Sequence, residues 1–448
     1  MLQFTLYLNI IHYIEVYRDM EDIYVLNKNL KIIDVIDAYK SCIWSNRYND
    51  LGDCELYIEA STKNLNTLKM GNYLIRLDDE MICEIKKVEL DTNNEDGNYL
   101  IITGIDVKDI LNQRIIWGTM SCDGNVEDFI REMINDNIIN PSIPSRKFLK
   151  PNGEQLLFLA PKANILETTT EQISYKKIGE KIKEYCKTYD YGYKIFLNNE
   201  YFYFTIYKGT DRSSYVVFSD DYENLHSSKY IADNMNLGNV ALIAGEGEGS
   251  ERIKETIGNA NSTDRYEVYI DARDISKTIT YKELINIYPN GAIIPNGDKY
   301  SYKLNIINIQ TISNEQLENL KNDYPNGVEI TINDNMYYQI QNVIIADLDT
   351  NKPNDNTNVI LRDIIYSIYL LNRGQEKLSD YKTNISFEGS VEPNTTFIYK
   401  KDYFLGDLVT VENEYGISMI ARIIEVIEVN DENGYTIEPK FKYLNEEE

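Results

Sequence analysis

The sequence predicts a mainly β protein of the α+β class, with two related antiparallel β-barrel-like domains, an intervening α/β domain and an inserted αββ-repeat region. A repeated pattern is the first observation: residues 71–104 and 406–441 each run from a glycine through a short apolar strand, an acidic turn and a long alternating strand. An Asp-Gly or Asn-Gly dipeptide (96–97 and 433–434) then precedes a return strand. Such dipeptides supply the positive φ angles of tight hairpins, so each copy is predicted to be a three-stranded antiparallel meander. The alternative, that any two meanders look alike, stays open because strand signals of this kind are generic.

A second repeat lies within the inserted region. Two segments align on a Tyr-Pro-Asn-Gly motif at 288–291 and 324–327, 36 residues apart. Each segment reads as helix, turn, strand, turn and strand. A unit of this length cannot bury a core alone, so the two units are predicted to pack on each other or on the barrels.

Helical spacing of apolar residues at 125–135 and 175–188, followed by strand patterns at 192–197 and 201–207, marks the intervening domain. A helix is also predicted near 359–381, before the last β domain. The predicted limits are 1–19 for an N-terminal extension, 20–118 for the first β-barrel domain, 119–200 for the α/β domain, 201–276 plus 376–444 for the second β-barrel domain, and 277–375 for the inserted αββ-repeat region.

The N-terminal residues do not form a targeting signal. No Lys or Arg precedes Arg18, and no small-residue cleavage site follows the apolar run. The run is also too short and too polar to cross a membrane. We therefore expect an extension upstream of a natural start at Met20, no membrane anchor, and synthesis in the bacterial cytoplasm without a signal peptide.

Composition limits the classes of partner. The chain has 448 residues, 72 acidic against 45 basic, and a net charge of −27. Stable nucleic-acid binding needs basic residues that neutralise phosphates, and anionic membranes also attract basic proteins. Neither kind of partner is expected. The five cysteines include no CxxC pair, so no zinc site or disulfide framework is predicted.

Three glycines, Gly245, Gly247 and Gly249, alternate with two glutamates. The glutamates would repel phosphate, and the segment continues into a strand-like pattern at 252–256 rather than into a helix. Glycines at period two would leave one face of a strand bare, which permits close approach of a neighbouring strand or subunit. An assembly role is therefore the hypothesis for these three residues.

Residues for catalysis are scarce. Only His12 and His226 are present, His226 is predicted to lie in a polar turn at 224–229, and no nucleophile-elbow pattern occurs. The hairpins at 91–97 and 430–434 lack the spacing of a calcium loop. No catalytic, cofactor-binding or metal residue is assigned, and the chain is predicted not to be an enzyme. The alternative for catalysis is a pair of carboxylates across a cleft, as in glycosidases.

Several segments together resemble a tail protein family of Gram-positive phages and prophages. The resemblance is to the baseplate hub, or to the structural N-terminal part of tail-associated lysins, and it covers residues 20–276 and 376–443. The segments are IYVLNKNLKIIDVIDAYKSCIWSNRYNDLGDCELYIEAS (23–61), GNYLIRLDDE (71–80), RIIWG (114–118), NVALIAGEGEGSER (239–252), YIDARDIS (269–276) and DYFLGDLVTVENEYGI (402–417).

The resemblance implies a homotrimer in which two related barrels per subunit build a pseudo-sixfold ring. Such a ring would join the tail tube or distal tail protein to a central spike, fibre or tape measure protein, in a virion baseplate or a tail-like bacteriocin. Tail-associated lysins often carry a peptidase after this module. The sequence stops at Glu448, so that activity is not expected. The alternative function is a cell-wall-active or carbohydrate-binding tail component that uses a carboxylate cleft.

Overall fold

Antiparallel strands dominate the computed structural model, which describes residues 22–93, 97–258, 263–311, 313–332, 335–391 and 396–443. Strands account for 47% and helices for 20% of the chain, which confirms the mainly β, α+β class. The expected extension 1–19 lies outside the described residues, and its independence from the fold stays a prediction.

The first seven strands form one half of a 13-stranded sheet, called here the large sheet. We name this half the first unit, and its strand order is β3-β4-β7-β6-β5-β1-β2. Trp44, Leu56 and Ile102 belong to its core. The elements are β1 (Ile23–Leu26), β2 (Ile32–Ile36), β3 (Ser41–Arg47), β4 (Asp53–Glu59), α1 (Thr62–Thr67), β5 (Tyr73–Ile75), β6 (Ile82–Asn93) and β7 (Gly97–Asp106).

Two small sheets and two helices make up the intervening domain. Its elements are β8 (Thr119–Asn125), α2 (Val126–Ile134), β9 (Leu157–Leu159), β10 (Thr168–Ser174), α3 (Ile178–Thr188), β11 (Gly192–Asn198) and β12 (Tyr201–Tyr207). Helix α2 begins where the Asn125 side chain accepts a hydrogen bond from the Asp128 N–H at 3.1 Å. The predicted limit at residue 200 cuts a hairpin: β12 pairs with β11, and Phe202 and Phe204 enter the core of this domain.

The next strands divide between two sheets. β13 (Val217–Ser219) and β14 (Leu225–Asp233) join the large sheet, whereas β15 (Val240–Ala244), β16 (Lys254–Gly258) and β17 (Glu267–Asp271) form a separate sheet. The predicted limits assign all of 201–276 to the second barrel domain. Ala241, Ile243 and Ile270 instead pack in the core of the inserted region, because β15 and β16 contact the helix at 363–378.

The inserted region contains the predicted αββ repeat. Strands β20 and β22 pair antiparallel, so the two repeats pack on each other. Its elements are β18 (Thr278–Thr280), α4 (Tyr281–Ile287), β19 (Ala292–Asn296), β20 (Lys299–Gln310), α5 (Asn314–Asp323), β21 (Val328–Ile332), β22 (Asn335–Leu348) and β23 (Asn358–Leu361), followed by α6 (Asp363–Leu378). The helix expected from 359 begins later, because β23 pairs with β18 and β22.

The repeated motif has a physical reason. The Tyr302 hydroxyl donates to the Tyr288 carbonyl at 2.5 Å, and the Tyr338 hydroxyl donates to the Tyr324 carbonyl at 2.8 Å. In each repeat the motif glycine lies against the tyrosine ring, where a Cβ atom would clash. The motif is thus a helix-to-strand turn closed by a tyrosine on the second strand.

The last four strands complete the large sheet: β24 (Asn384–Val391), β25 (Leu408–Glu412), β26 (Ser418–Asp431) and β27 (Gly434–Tyr443). Together with β13 and β14 they form the second unit. Its order is β14-β24-β27-β26, continued by β25 and β13. Phe218, Phe387 and Phe441 pack in its core.

Both predicted meanders are present and correspond in detail. Gly71 and Gly406 have φ angles of +82° and +92°. Their N–H groups donate to the carbonyls of Ile85 and Ile423, each at 2.9 Å. Immediately after these two isoleucines, both long strands carry a register shift against their return strands. The repeat therefore extends to individual backbone hydrogen bonds. The tip of the first hairpin, 94–96, lies outside the described residues.

Candidate assembly interface and interdomain cleft

One strand pair joins the two units into the large sheet. Strand β26 runs antiparallel to β3, from Glu425 opposite Arg47 to Asp431 opposite Ser41. The Arg47 Nε donates to the Glu425 Oε1 at 2.6 Å. These residues are 378 positions apart in the chain. The pairing is therefore a long-range junction between two similar units, called here the internal junction.

Buried charges lie beside the internal junction. Glu428 accepts from Arg76 and from Lys400, each at 2.9 Å, and from the Tyr435 hydroxyl at 2.5 Å. Lys400 also pairs with Asp79 at 2.8 Å. Burial alone would raise the pKa of Glu428, but the charges of Arg76 and Lys400 outweigh it and lower the pKa. Glu428 is therefore charged at neutral pH and ties β26 to the first unit.

The three candidate glycines do not lie on a strand. Strand β15 ends at Ala244, Gly245 and Gly247 fall in the loop that follows it, and Gly249 begins a short 3-10 helix (Gly249–Glu251). A Cβ atom at Gly245 would lie 2.4 Å from the Tyr366 hydroxyl, within the same chain. Gly247 and Gly249 have positive φ angles, which side chains disfavour. The expected bare strand face is therefore wrong, and the assembly role of these residues stays a prediction without that support.

The predicted turn at 224–229 is also wrong, since His226 belongs to strand β14.

All five cysteines are buried and unbridged. Among the described residues, no group of three His, Cys, Asp or Glu side chains could hold a metal ion. Of the helices the structure describes, none is long and apolar enough to cross a membrane.

A cleft of about 2110 Å³ lies between the intervening domain, the β15–β17 sheet and the inserted region. Among the carboxylates that line it, three have raised pKa values: Asp123, Glu255 and Glu376. Burial raises the pKa of Asp123 and of Glu255. Burial and the neighbouring Glu171 raise the pKa of Glu376 to about 8. A carboxyl group with a pKa of about 8, as in Glu376, is mostly protonated at neutral pH, as a general acid requires.

Contacts between charged and polar side chains behind the cleft tie helix α6 to the intervening domain and to the loop after β17. Lys181 contacts Glu171 at 2.8 Å and Glu376 at 2.5 Å, and Arg373 contacts Asp274 at 3.1 Å. We call these five residues the cleft cluster. They come from four separate elements or loops, so sequence patterns did not point to them. Charged residues on the buried face of α3 and α6 were the one available signal.

The fold is that of phage tail proteins. The tail protein from Neisseria meningitidis MC58 is 11% identical, with a TM-score of 0.50, and the match covers 94% of this chain and 95% of that one. The 43 kDa tail protein of prophage MuSo2 from Shewanella oneidensis is 9% identical (TM-score 0.47; 94% and 98% covered). Prophage tail protein gp18 from Listeria monocytogenes EGD-e is 10% identical (TM-score 0.43; 96% and 95% covered). At these identities the likeness concerns the fold alone.

The chain belongs to the Siphovirus ReqiPepy6 Gp37-like protein family, which matches residues 22–441. The resemblance to phage tail proteins is thereby confirmed, and the protein is a structural component of a tail. The matched range includes 277–375, which the resemblance had left out. No curated protein matches the sequence.

Proposed function

We propose that this tail protein is a ring-forming hub of the baseplate. Three copies would form the ring and join the tail tube or distal tail protein to a central spike, fibre or tape measure protein. The observation that supports this proposal is the internal junction, which places two equivalent units side by side in one sheet. A closed ring of three such chains presents six similar units, and so matches a sixfold partner on one side and a threefold partner on the other.

The net charge agrees with a hub through which DNA passes without binding. A charge of −27 repels the phosphate backbone. Catalysis is not part of the proposal, which gives the chain a structural role in the tail.

Light scattering of the purified chain, combined with electron microscopy of single particles, tests the ring. We expect a mass of three chains and end-on views with six similar lobes. A stable dimer, or a ring of six chains with twelve lobes, would contradict the proposal.

A second candidate function rests on the cleft. Carboxyl groups with raised pKa values in a large cleft are compatible with a cell-wall-active or carbohydrate-binding role. Incubation with purified cell walls, followed by assays for reducing sugars and free amines, separates this candidate from the hub. We expect no release. Release by the wild type that disappears in Glu376→Gln would favour the cleft function.

A further inference from the structure

Among the described residues, the large sheet has several open strand edges, and two of them belong to β6 and β14. Residues 82–84 of β6 pair with β5, but among the described residues no strand pairs with that same edge of β6 from Lys87 to Asn93. Strand β14 pairs with β24 on one side, and it ends the large sheet on the other. Open edges present unpaired N–H and C=O groups and so can accept another strand.

The internal repeat shows what would fit these edges. Lys87 and Glu425 each follow the register shift of their strand, so they hold equivalent positions in the two units. Within the second unit, the part of β26 that corresponds to the open edge of β6 is covered by β3. Strand β14 of the second unit corresponds to β3. Residues paired across neighbouring strands show this correspondence. In the first unit they run Glu84–Ile105–Asp53–Ser45, and in the second unit Arg422–Lys442–Ser386–Ile231.

We propose that β6 of one copy pairs antiparallel with β14 of the next copy, in the register of the internal junction. The pairing rests on the proposed ring and names the interface that closes it. In that register Arg47 corresponds to Asp233 and Trp44 to Tyr230. Lys87 then lies opposite the next copy's Asp233, and Leu90 lies opposite its Tyr230.

The side chains at these positions complement each other. Lys87 opposite Asp233 repeats, with the signs exchanged, the ion pair between Glu425 and Arg47 at the internal junction. The same register places Asp91 opposite Lys229, a second pair of opposite charges on the same face.

The other face joins two apolar side chains that are exposed in the single chain, Leu90 (48%) and Tyr230 (38%). Their counterparts at the internal junction, Glu428 and Trp44, are 2% and 0% exposed. Pairing would cover Leu90 and Tyr230 in the same way.

Cysteine cross-linking tests the register. The full-length variant with Leu90→Cys and Tyr230→Cys places two thiols opposite each other on one face, within disulfide distance. The native cysteines are all buried, so they should not compete. We expect mild oxidation to give a band of three chains on a non-reducing gel.

The matched control combines Glu89→Cys with Tyr230→Cys, which places the thiols on opposite faces of the sheet. Cross-linking of the first variant no stronger than that of this control would overturn the proposed pairing. If wild-type rings were still seen by microscopy, the ring would stand and only the interface would be wrong. If wild-type rings were absent as well, the proposed function would also fall.

Charge reversal gives an independent test that a folding defect cannot imitate. We expect Lys87→Glu alone and Asp233→Lys alone to weaken association of the copies at least tenfold, measured by sedimentation at low salt. The double variant restores the pair of opposite charges and should regain most of the association. A double variant that associates no better than either single variant would contradict the register.

Discussion

The two units of the large sheet have equivalent strand pairing, but they differ in what covers the end of their long strand, β6 or β26. In the second unit, β3 covers the end of β26, and Glu428 lies opposite the buried Trp44. In the first unit, no strand in the described part of the chain covers the equivalent end of β6, and Leu90 is exposed. The shared glycine and register shift determine the ladder in both units. The side chains at the edge of β26 instead match β3, and those at the edge of β6 match the neighbour that we propose.

The largest expected effect is a difference in the free energy of unfolding between alanine variants of two equivalent aromatic residues, Trp44 at the covered position and Tyr230 at the open edge. Trp44→Ala removes a fully buried side chain and should lower the free energy of unfolding by about 4 kcal/mol. Tyr230→Ala should lower it by less than about 1 kcal/mol in the single chain, because Tyr230 is partly exposed. Urea denaturation at low protein concentration measures both. Similar losses for the two variants would show that the positions are not different in the single chain.

The equivalent glycines of the two meanders should also differ. A Cβ atom at Gly406 would lie 2.4 Å from the ring of buried Tyr48, whereas one at Gly71 would meet only the flexible end of Lys28. Both residues have positive φ angles, so alanine costs about 1 kcal/mol at each from backbone strain alone. We expect a total loss of about 3 kcal/mol for Gly406→Ala, because overpacking adds to the strain. Thermal unfolding followed by circular dichroism tests this order, which equal shifts in Tm would contradict.

The cleft cluster and the internal junction should respond differently to pH, because the pKa of Glu376 is raised whereas that of Glu428 is lowered. The pKa of Glu376 is raised from an ordinary value of 4.5 to about 8, so the folded chain retains a proton that the unfolded chain releases. The stability from this group is present below about pH 4.5 and is lost as the pH rises through 8. Glu376→Gln stays neutral. Between pH 5 and 8 the wild type should therefore lose up to about 1.4 kcal/mol per pH unit relative to this variant.

Urea denaturation across that pH range measures the difference. Glu318→Gln is a suitable control because its carboxylate is exposed on α5. We expect the curve of the control to run parallel to that of the wild type. A Glu376→Gln curve that is also parallel would show that Glu376 is charged in the folded chain.

The smallest expected effects concern the inserted repeat. Tyr302→Phe and Tyr338→Phe each remove a hydroxyl that donates to a motif carbonyl. Each should cost about 1 kcal/mol, with the greater loss at Tyr302, since its hydroxyl also accepts from the Gly291 N–H at 3.1 Å. Urea denaturation of the two variants tests the order. A greater loss at Tyr338 would contradict the expected ranking.

Local chemistry explains which elements were predictable from the sequence. The Asn-Gly dipeptide at 433–434 and the paired Tyr-Pro-Asn-Gly motifs require particular backbone angles or contacts within one supersecondary unit, and the predicted meanders and αββ repeats are present. The segment 245–249 is not the predicted strand, because alternating glycines fit a strand and a loop equally well. Its close contact is made by Tyr366, more than 100 residues away in the chain.

Long-range pairing explains what could not be predicted. No pattern near Arg47 indicates that its partner strand contains Glu425. The cleft cluster likewise depends on how α3 and α6 are placed. The polar residues at 227–229 suggested a turn, but hydrogen bonding to β24 makes them part of a strand.

The ends of the inserted region have a consequence for how this protein can diversify. The chain enters the region at β18 and leaves it at β23, and these two strands pair directly. A segment whose ends are adjacent can be replaced by another with similarly spaced ends. Recombination could thus exchange this region between related viruses, and a laboratory graft could use the same borders. Either replacement would have to bring an apolar face for Tyr369 and Leu370 of α6, which the present region buries.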